Sequence, residues 1–167
     1  QTMRSVVDNL SFVMEDMARS MRLGDDFVCK ESVLEPIGSL DVGNPPNTQN
    51  GENCKSISFE PYWNYDPNDD VNQIVYFIND AGGVGTIFKK NETMDWTDEM
   101  IPITPAEIDI DTTKSGFWVS GAGTEAIPVQ PRVTIVLVGT VRLGNASTEF
   151  NLQTSVSQRL LDINSFN

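Results

Sequence analysis

Residues 132–157 read RVTIVLVGTVRLGNASTEFNLQTSVS, and this stretch carries the clearest structural pattern in the chain. The segment from Arg132 to Arg142 predicts a strong strand, because valine and isoleucine dominate it. Gly144 and the asparagine after it mark a turn. In residues 148–157 apolar and polar side chains alternate, which is typical of a strand with one buried face. The stretch therefore predicts two paired strands joined by a tight turn.

Shorter strand patterns come before this pair. They lie at Ser56–Pro61, Gln73–Asn79, Thr86–Phe88, Ile108–Ile110 and Phe117–Val119. A glycine-rich turn at residues 80–83 separates two of them, as expected for a hairpin. Residues 24–55 look irregular, so no strand is predicted there. Six or seven strands with short gaps predict an antiparallel sheet.

Residues 2–23 predict one long helix, because apolar residues recur at alternating spacings of four and three. Arg4 and Asp8, and likewise Glu15 and Arg19, are spaced to form ion pairs on its polar side. We expect the apolar stripe to pack the helix on the sheet, which makes the fold class α+β with a long N-terminal α-helix packed on an antiparallel β-sheet. The stripe consists of Met3, Val7, Leu10, Met14, Met17 and Met21.

Two apolar residues of this helix do not lie on the stripe. At about 100° per residue, Phe12 points about 180° away from it, and Leu23 lies near Phe12. One interpretation is scattered exposed apolar residues, which are common on protein surfaces. The other is a helix buried on two sides, by its own domain and by a neighbouring subunit.

The composition excludes several classes of function. The chain has 24 acidic and 11 basic residues and no histidine, a net charge of −13. This charge repels phosphate backbones, so nucleic acid is not an expected partner. The missing histidine excludes Ser-His-Asp and Cys-His catalysis. Ten of the net negative charges belong to residues 60–111, so we expect an acidic surface there.

The two cysteines, Cys29 and Cys54, bracket a segment rich in proline, asparagine and glycine. In an exported protein they would form a disulfide that closes this loop, and in a cytosolic protein they would be ordinary thiols. We favour the disulfide, because it would pin a loop that has little structure of its own.

One acidic segment is similar to the start of a calcium-binding loop. Asp66, Asn68 and Asp70 place oxygen atoms at alternate positions. The pattern then breaks, because Val71 replaces the glycine of the sixth position and Phe77 replaces the glutamate of the twelfth. A solvated turn is therefore expected, no cofactor is predicted, and these three residues are the only calcium candidates.

Two stretches of the chain resemble type IV pilin-like proteins, the minor pilins and the pseudopilins of type II secretion. The first, SVVDNLSFVMEDMARSMRLG at residues 5–24, resembles the second half of their N-terminal helix. The second comprises residues 131–139 and 149–159 and resembles their terminal hairpin. The resemblance divides the chain into a helix half at 1–24 and a globular β-rich domain at 25–167. It also implies that the cleavage site, a glutamate and an apolar membrane helix lie upstream of Gln1.

The resemblance implies a structural protein and not an enzyme. Its function would be assembly into a cell-surface or periplasmic filament, a type IV pilus or pseudopilus, after anchoring in the inner membrane. Its partners would be other pilin or pseudopilin subunits, with Phe12 and Leu23 as candidate contacts. The alternative is a secreted or cell-surface adhesin-like module with an acidic, calcium-dependent binding face.

Overall fold

The computed structural model describes residues 3–30, 53–61, 74–90, 100–120 and 131–158. Strands hold 58% of the described residues, and they form two antiparallel sheets. The helix has 20 residues and is thus a small part of the fold compared with the strands. The expected α+β fold, a long helix packed on one antiparallel sheet, is therefore wrong, and the protein is mostly β.

The described part of the chain contains one helix followed by nine strands. In chain order they are α1 (Met3–Arg22), β1 (Gly24–Lys30), β2 (Ser56–Pro61), β3 (Ile74–Asp80), β4 (Gly85–Lys90), β5 (Ile101–Pro102), β6 (Ile108–Ile110), β7 (Gly116–Ser120), β8 (Arg132–Leu143) and β9 (Ala146–Ser157).

The first sheet has the strand order β1-β2-β3-β4-β5, and all its pairings are antiparallel. Its central strand β3 is buried on both faces from Ile74 to Ile78, which explains its continuous apolar sequence. A turn joins β3 to β4, with Ala81 N–H donating to the carbonyl of Val84 at 2.8 Å. Gly83 lies in this turn with φ of 89°, a conformation that glycine adopts without strain.

The second sheet is built around the long hairpin of β8 and β9. The two strands pair over their full length, from Arg132 with Ser157 to Leu143 with Ala146. On the other edge of β8, β6 and β7 pair one after the other. The inward face of β8 is apolar and buried at every second residue, from Val133 to Val141. The sequence therefore predicted the hairpin correctly. The predicted alternation lies in β9, where Val156 is buried and Phe150 and Leu152 are partly buried.

The helix packs against both sheets and not against one. Its neighbours are β8 and β9 of the second sheet and β1 and β2 of the first. Its buried side chains belong to the same apolar cluster as those of both sheets. The expected packing on one sheet is wrong because sequence periodicity gives the buried face of a helix but not the number of sheets that face covers.

The two sides of α1 differ in their contribution to stability. Met17 has none of its surface exposed, whereas Phe12 is 72% exposed. We expect Met17→Ala to lower the free energy of unfolding by about 2–5 kcal/mol, because it leaves a cavity in the core. Phe12→Ala, the matched control, should change it by no more than about 0.5 kcal/mol. Denaturant unfolding measures both values, and equal losses for the two variants would contradict this arrangement of the helix.

Candidate functional site on the N-terminal helix

One face of α1 lies in the protein core. Its buried residues are Val6, Leu10, Met14, Met17 and Met21. Two members of the predicted stripe, Met3 and Val7, are only partly buried and pack against the edge of this cluster. Val6 takes the buried position beside Val7, so the core face is rotated slightly from the predicted stripe.

The opposite face carries two exposed apolar side chains. Phe12 is 72% exposed, and Leu23, the residue after the last helical one, is 36% exposed. Among the described residues the only other large apolar side chain with comparable exposure is Ile101, at 46%, in β5. The helix therefore presents an exposed aromatic ring on the side away from its own core.

Charged side chains surround these apolar residues. Arg4, Asp8, Glu15 and Arg19 are all exposed. The ion pairs within the described part of the chain join Lys89 to Asp16, Lys114 to Asp111 and Arg142 to Asp109. None of the four helix residues takes part in them, so the expected pairs along the helix are not formed. This face is consequently both apolar and charged, with its charges available to a partner.

A polar cluster links the flank of α1 to the first sheet. The hydroxyl of Tyr76 in β3 donates to Ser20 Oγ at 3.3 Å. Lys89 in β4 places its Nζ 3.4 Å from Asp16 Oδ2 and 5.4 Å from the centre of the Tyr76 ring. Because Tyr76 has none of its surface exposed, this cluster is in part a core feature. Together with the methionines it fixes the rotation of the helix, and therefore which face points outward.

The environment of Tyr76 makes this attachment sensitive to alkaline pH. Burial raises the pKa of its hydroxyl above the ordinary value of 10.0, although Ser20 and Lys89 act in the opposite direction. The folded state thus favours the neutral phenol more than the unfolded state does. The resulting stability is complete below the unfolded pKa and is lost as pH rises through the folded pKa.

We therefore expect the free energy of unfolding of the wild type to fall more steeply above pH 10 than that of Tyr76→Phe. At neutral pH the variant should be less stable by about 1 kcal/mol, because it lacks the hydrogen bond to Ser20. Denaturant unfolding of both proteins between pH of about 8 and about 11 measures the difference. Parallel curves for the two proteins would show that the phenol is not the titrating group.

A disulfide joins Cys29 in β1 to Cys54, which lies just before β2, with 5.6 Å between their Cα atoms. Cys54 also forms a β-bridge with Phe117 of the second sheet, through two backbone hydrogen bonds of 2.9 Å. Gly116 permits this approach, since a Cβ atom there would collide with Asn53 Oδ1. The disulfide thus lies where the two sheets meet.

Removing the disulfide should weaken the whole fold. We expect the double variant Cys29→Ser, Cys54→Ser to lose about 2–5 kcal/mol of the free energy of unfolding. Wild-type protein unfolded in the presence of a reductant should match the double variant, and the reductant should have no effect on the variant itself. Titration of two reactive thiols in unreduced, unfolded protein would contradict the disulfide.

The sequence-predicted calcium candidates Asp66, Asn68 and Asp70 lie outside the described residues. Within the described ranges no three acidic or cysteine side chains are grouped so that they could hold a metal ion. In that same part of the chain no helix has the length and apolar character needed to cross a membrane.

Sequence reasoning missed two features of this site. The contact of Asp16 with Lys89 joins residues 73 positions apart, and the bridge of Cys54 to Phe117 joins residues 63 positions apart. No local pattern indicates either of them.

Comparisons of this chain with family models, with curated proteins and with solved structures find no match.

Proposed function

We propose that this protein is a structural subunit of an extracytoplasmic filament of the pilin or pseudopilin type, and that it acts by assembly and not by catalysis. In this proposal the outward face of α1 contacts neighbouring subunits while its inward face holds the β-structure. Anchoring in the inner membrane through a helix upstream of Gln1 belongs to the same proposal. The exposed face of the helix and the disulfide support this proposal, and the arrangement of the sheets does not.

The exposure of Phe12 is the observation that carries the proposal. The helix has enough core-facing apolar residues to pack without it, and the ring contributes almost nothing to the fold where it stands. Phenylalanine and arginine are enriched at protein interfaces, where an aromatic ring becomes buried beside charged groups. Phe12, with Arg19 further along the same side of the helix, has this composition.

The fixed rotation of the helix also favours an interface. The buried methionines and the contacts of Ser20 and Asp16 hold α1 in one orientation. A partner that binds the outward face therefore does not have to order the helix first, which lowers the entropic cost of association.

The disulfide supports the location. Disulfides form and persist in the periplasm and at cell surfaces, and they are rare in the cytosol. The bond between Cys29 and Cys54 therefore favours an exported protein.

The proposal predicts that Phe12→Arg abolishes assembly without unfolding the protein. The full-length protein is expressed in its host, and assembly is measured as the fraction of the chain that pellets with sheared or solubilised filaments. The change should reduce this fraction at least about tenfold, because a buried aromatic anchor is replaced by a charge. Its thermal midpoint should stay close to that of the wild type, because Phe12 is exposed in the single subunit.

Ile101→Arg is the matched control, since Ile101 is also an exposed apolar residue but lies in β5. It should assemble like the wild type. Normal assembly of Phe12→Arg, or an equal loss with Ile101→Arg, would overturn the assignment of the helix face. A wild-type protein that never enters a pelletable assembly would overturn the proposed function itself.

A further inference from the structure

The exposed ridge of α1 contains a pattern that repeats with opposite charge. Two sets of three residues follow each other along the helix, and within each set the residues are four positions apart. In order, a basic, an acidic and an apolar residue are followed by an acidic, a basic and an apolar one. The sets are Arg4, Asp8 and Phe12, and then Glu15, Arg19 and Leu23.

The two sets lie on the same side of the helix. Each residue of the first set is 11 positions before its counterpart in the second, and 11 residues make about three turns plus 20°. The corresponding axial distance is about 16.5 Å. A second helix that lies parallel to the first and is shifted by this distance can therefore bring one set opposite the other.

The structure leaves all six side chains available. Each is exposed, and the four charged ones form no ion pair with any residue in the described part of the chain. The helix that carries them is fixed by its buried face, so the ridge has one defined position on the surface.

We propose that the partner of this ridge is a second copy of the same chain, with its α1 parallel and displaced by 11 residues. Arg4 then faces Glu15 of the neighbouring copy, Asp8 faces Arg19, and Phe12 packs on Leu23. This inference rests on the proposed function and adds the identity of the neighbour and the register between the two helices.

The other registers compared here place like charges opposite one another or leave some of the six side chains without partners. Without displacement, every charge faces its own kind. With a displacement of seven residues, Asp8 faces Glu15 of the neighbour, and like charges at short distance oppose binding. An antiparallel pair can join Phe12 to Leu23 and Glu15 to Arg19, but it leaves Arg4 and Asp8 without partners. The parallel register with a displacement of 11 residues pairs all six side chains.

The proposed contact is heterologous, because the first set of one copy binds the second set of the next. A row of copies joined in this way still has one unused set at each of its two ends, on the terminal copies. Such an interface does not close on itself and leads to open helical growth. This geometry is the one that a filament subunit requires.

The register is tested by exchanging charges between copies of the full-length protein. We expect Arg4→Glu alone and Glu15→Arg alone to reduce the pelletable fraction at least about tenfold, because each places like charges opposite one another. Co-expression of the two variants should restore assembly to within about threefold of the wild type. The carboxylate introduced at position 4 of one copy then faces the guanidinium introduced at position 15 of the other, and every other pair is of opposite charge.

Co-expression of Arg4→Glu with Asp8→Arg is the control, because each interface between these two variants still contains one pair of like charges. It should not restore assembly. All three variants are changed at exposed positions, so their thermal midpoints as single subunits should match that of the wild type.

The outcomes separate the two proposals. If Phe12→Arg abolishes assembly but Arg4→Glu assembles normally, or the complementary pair does not recover, the register is wrong and the proposed function stands. If the wild type does not assemble, the proposed function is wrong and the register falls with it.

Discussion

The fold depends on the backbone pairing between Cys54 and Phe117. Phe117 belongs to β7 of the second sheet, Cys54 lies just before β2 of the first, and both are buried where the sheets meet. A second close approach lies at the other junction, where a Cβ atom on Gly85 would collide with the carbonyl of Ile110. Two glycines, Gly85 and Gly116, thus let the sheets approach closely enough to share one core. The disulfide adds a covalent bond next to the first of these junctions.

This arrangement explains the position of the helix. Because the sheets join along β4 with β6 and β2 with β7, the apolar faces of both must be covered together. The methionines of α1 suit this task, since flexible thioether side chains fill irregular gaps between surfaces that do not lie in one plane. Because one face of the helix packs on both sheets, the opposite face, with Phe12, is left exposed.

An element could be predicted where neighbouring residues determine it, and could not be predicted where contacts between distant residues determine it. The hairpin of residues 132–157 and the helix could be predicted, because their apolar periodicity is local and strong. Strand β1 could not, since Gly24 and two aspartates open it with a turn-like composition and only its pairing with β2 makes it a strand. The division into two sheets depends on contacts as distant as Cys54 with Phe117. The outward orientation of Phe12 could be predicted from helix geometry, but the lack of ion pairs around it could not.

The disulfide also determines how the molecule would carry tension. A pulling force that enters through α1 reaches β1 directly, because Gly24 follows the helix with one residue between them. At Cys29 the covalent path branches through the sulfur atoms to Cys54 and so to the junction with Phe117. The load is thereby shared by both sheets, and the segment between the two cysteines is bypassed. Extension of that segment under force would require breaking the disulfide bond. The residues between the two cysteines therefore add nothing to the length to which the chain can be pulled while the disulfide is intact.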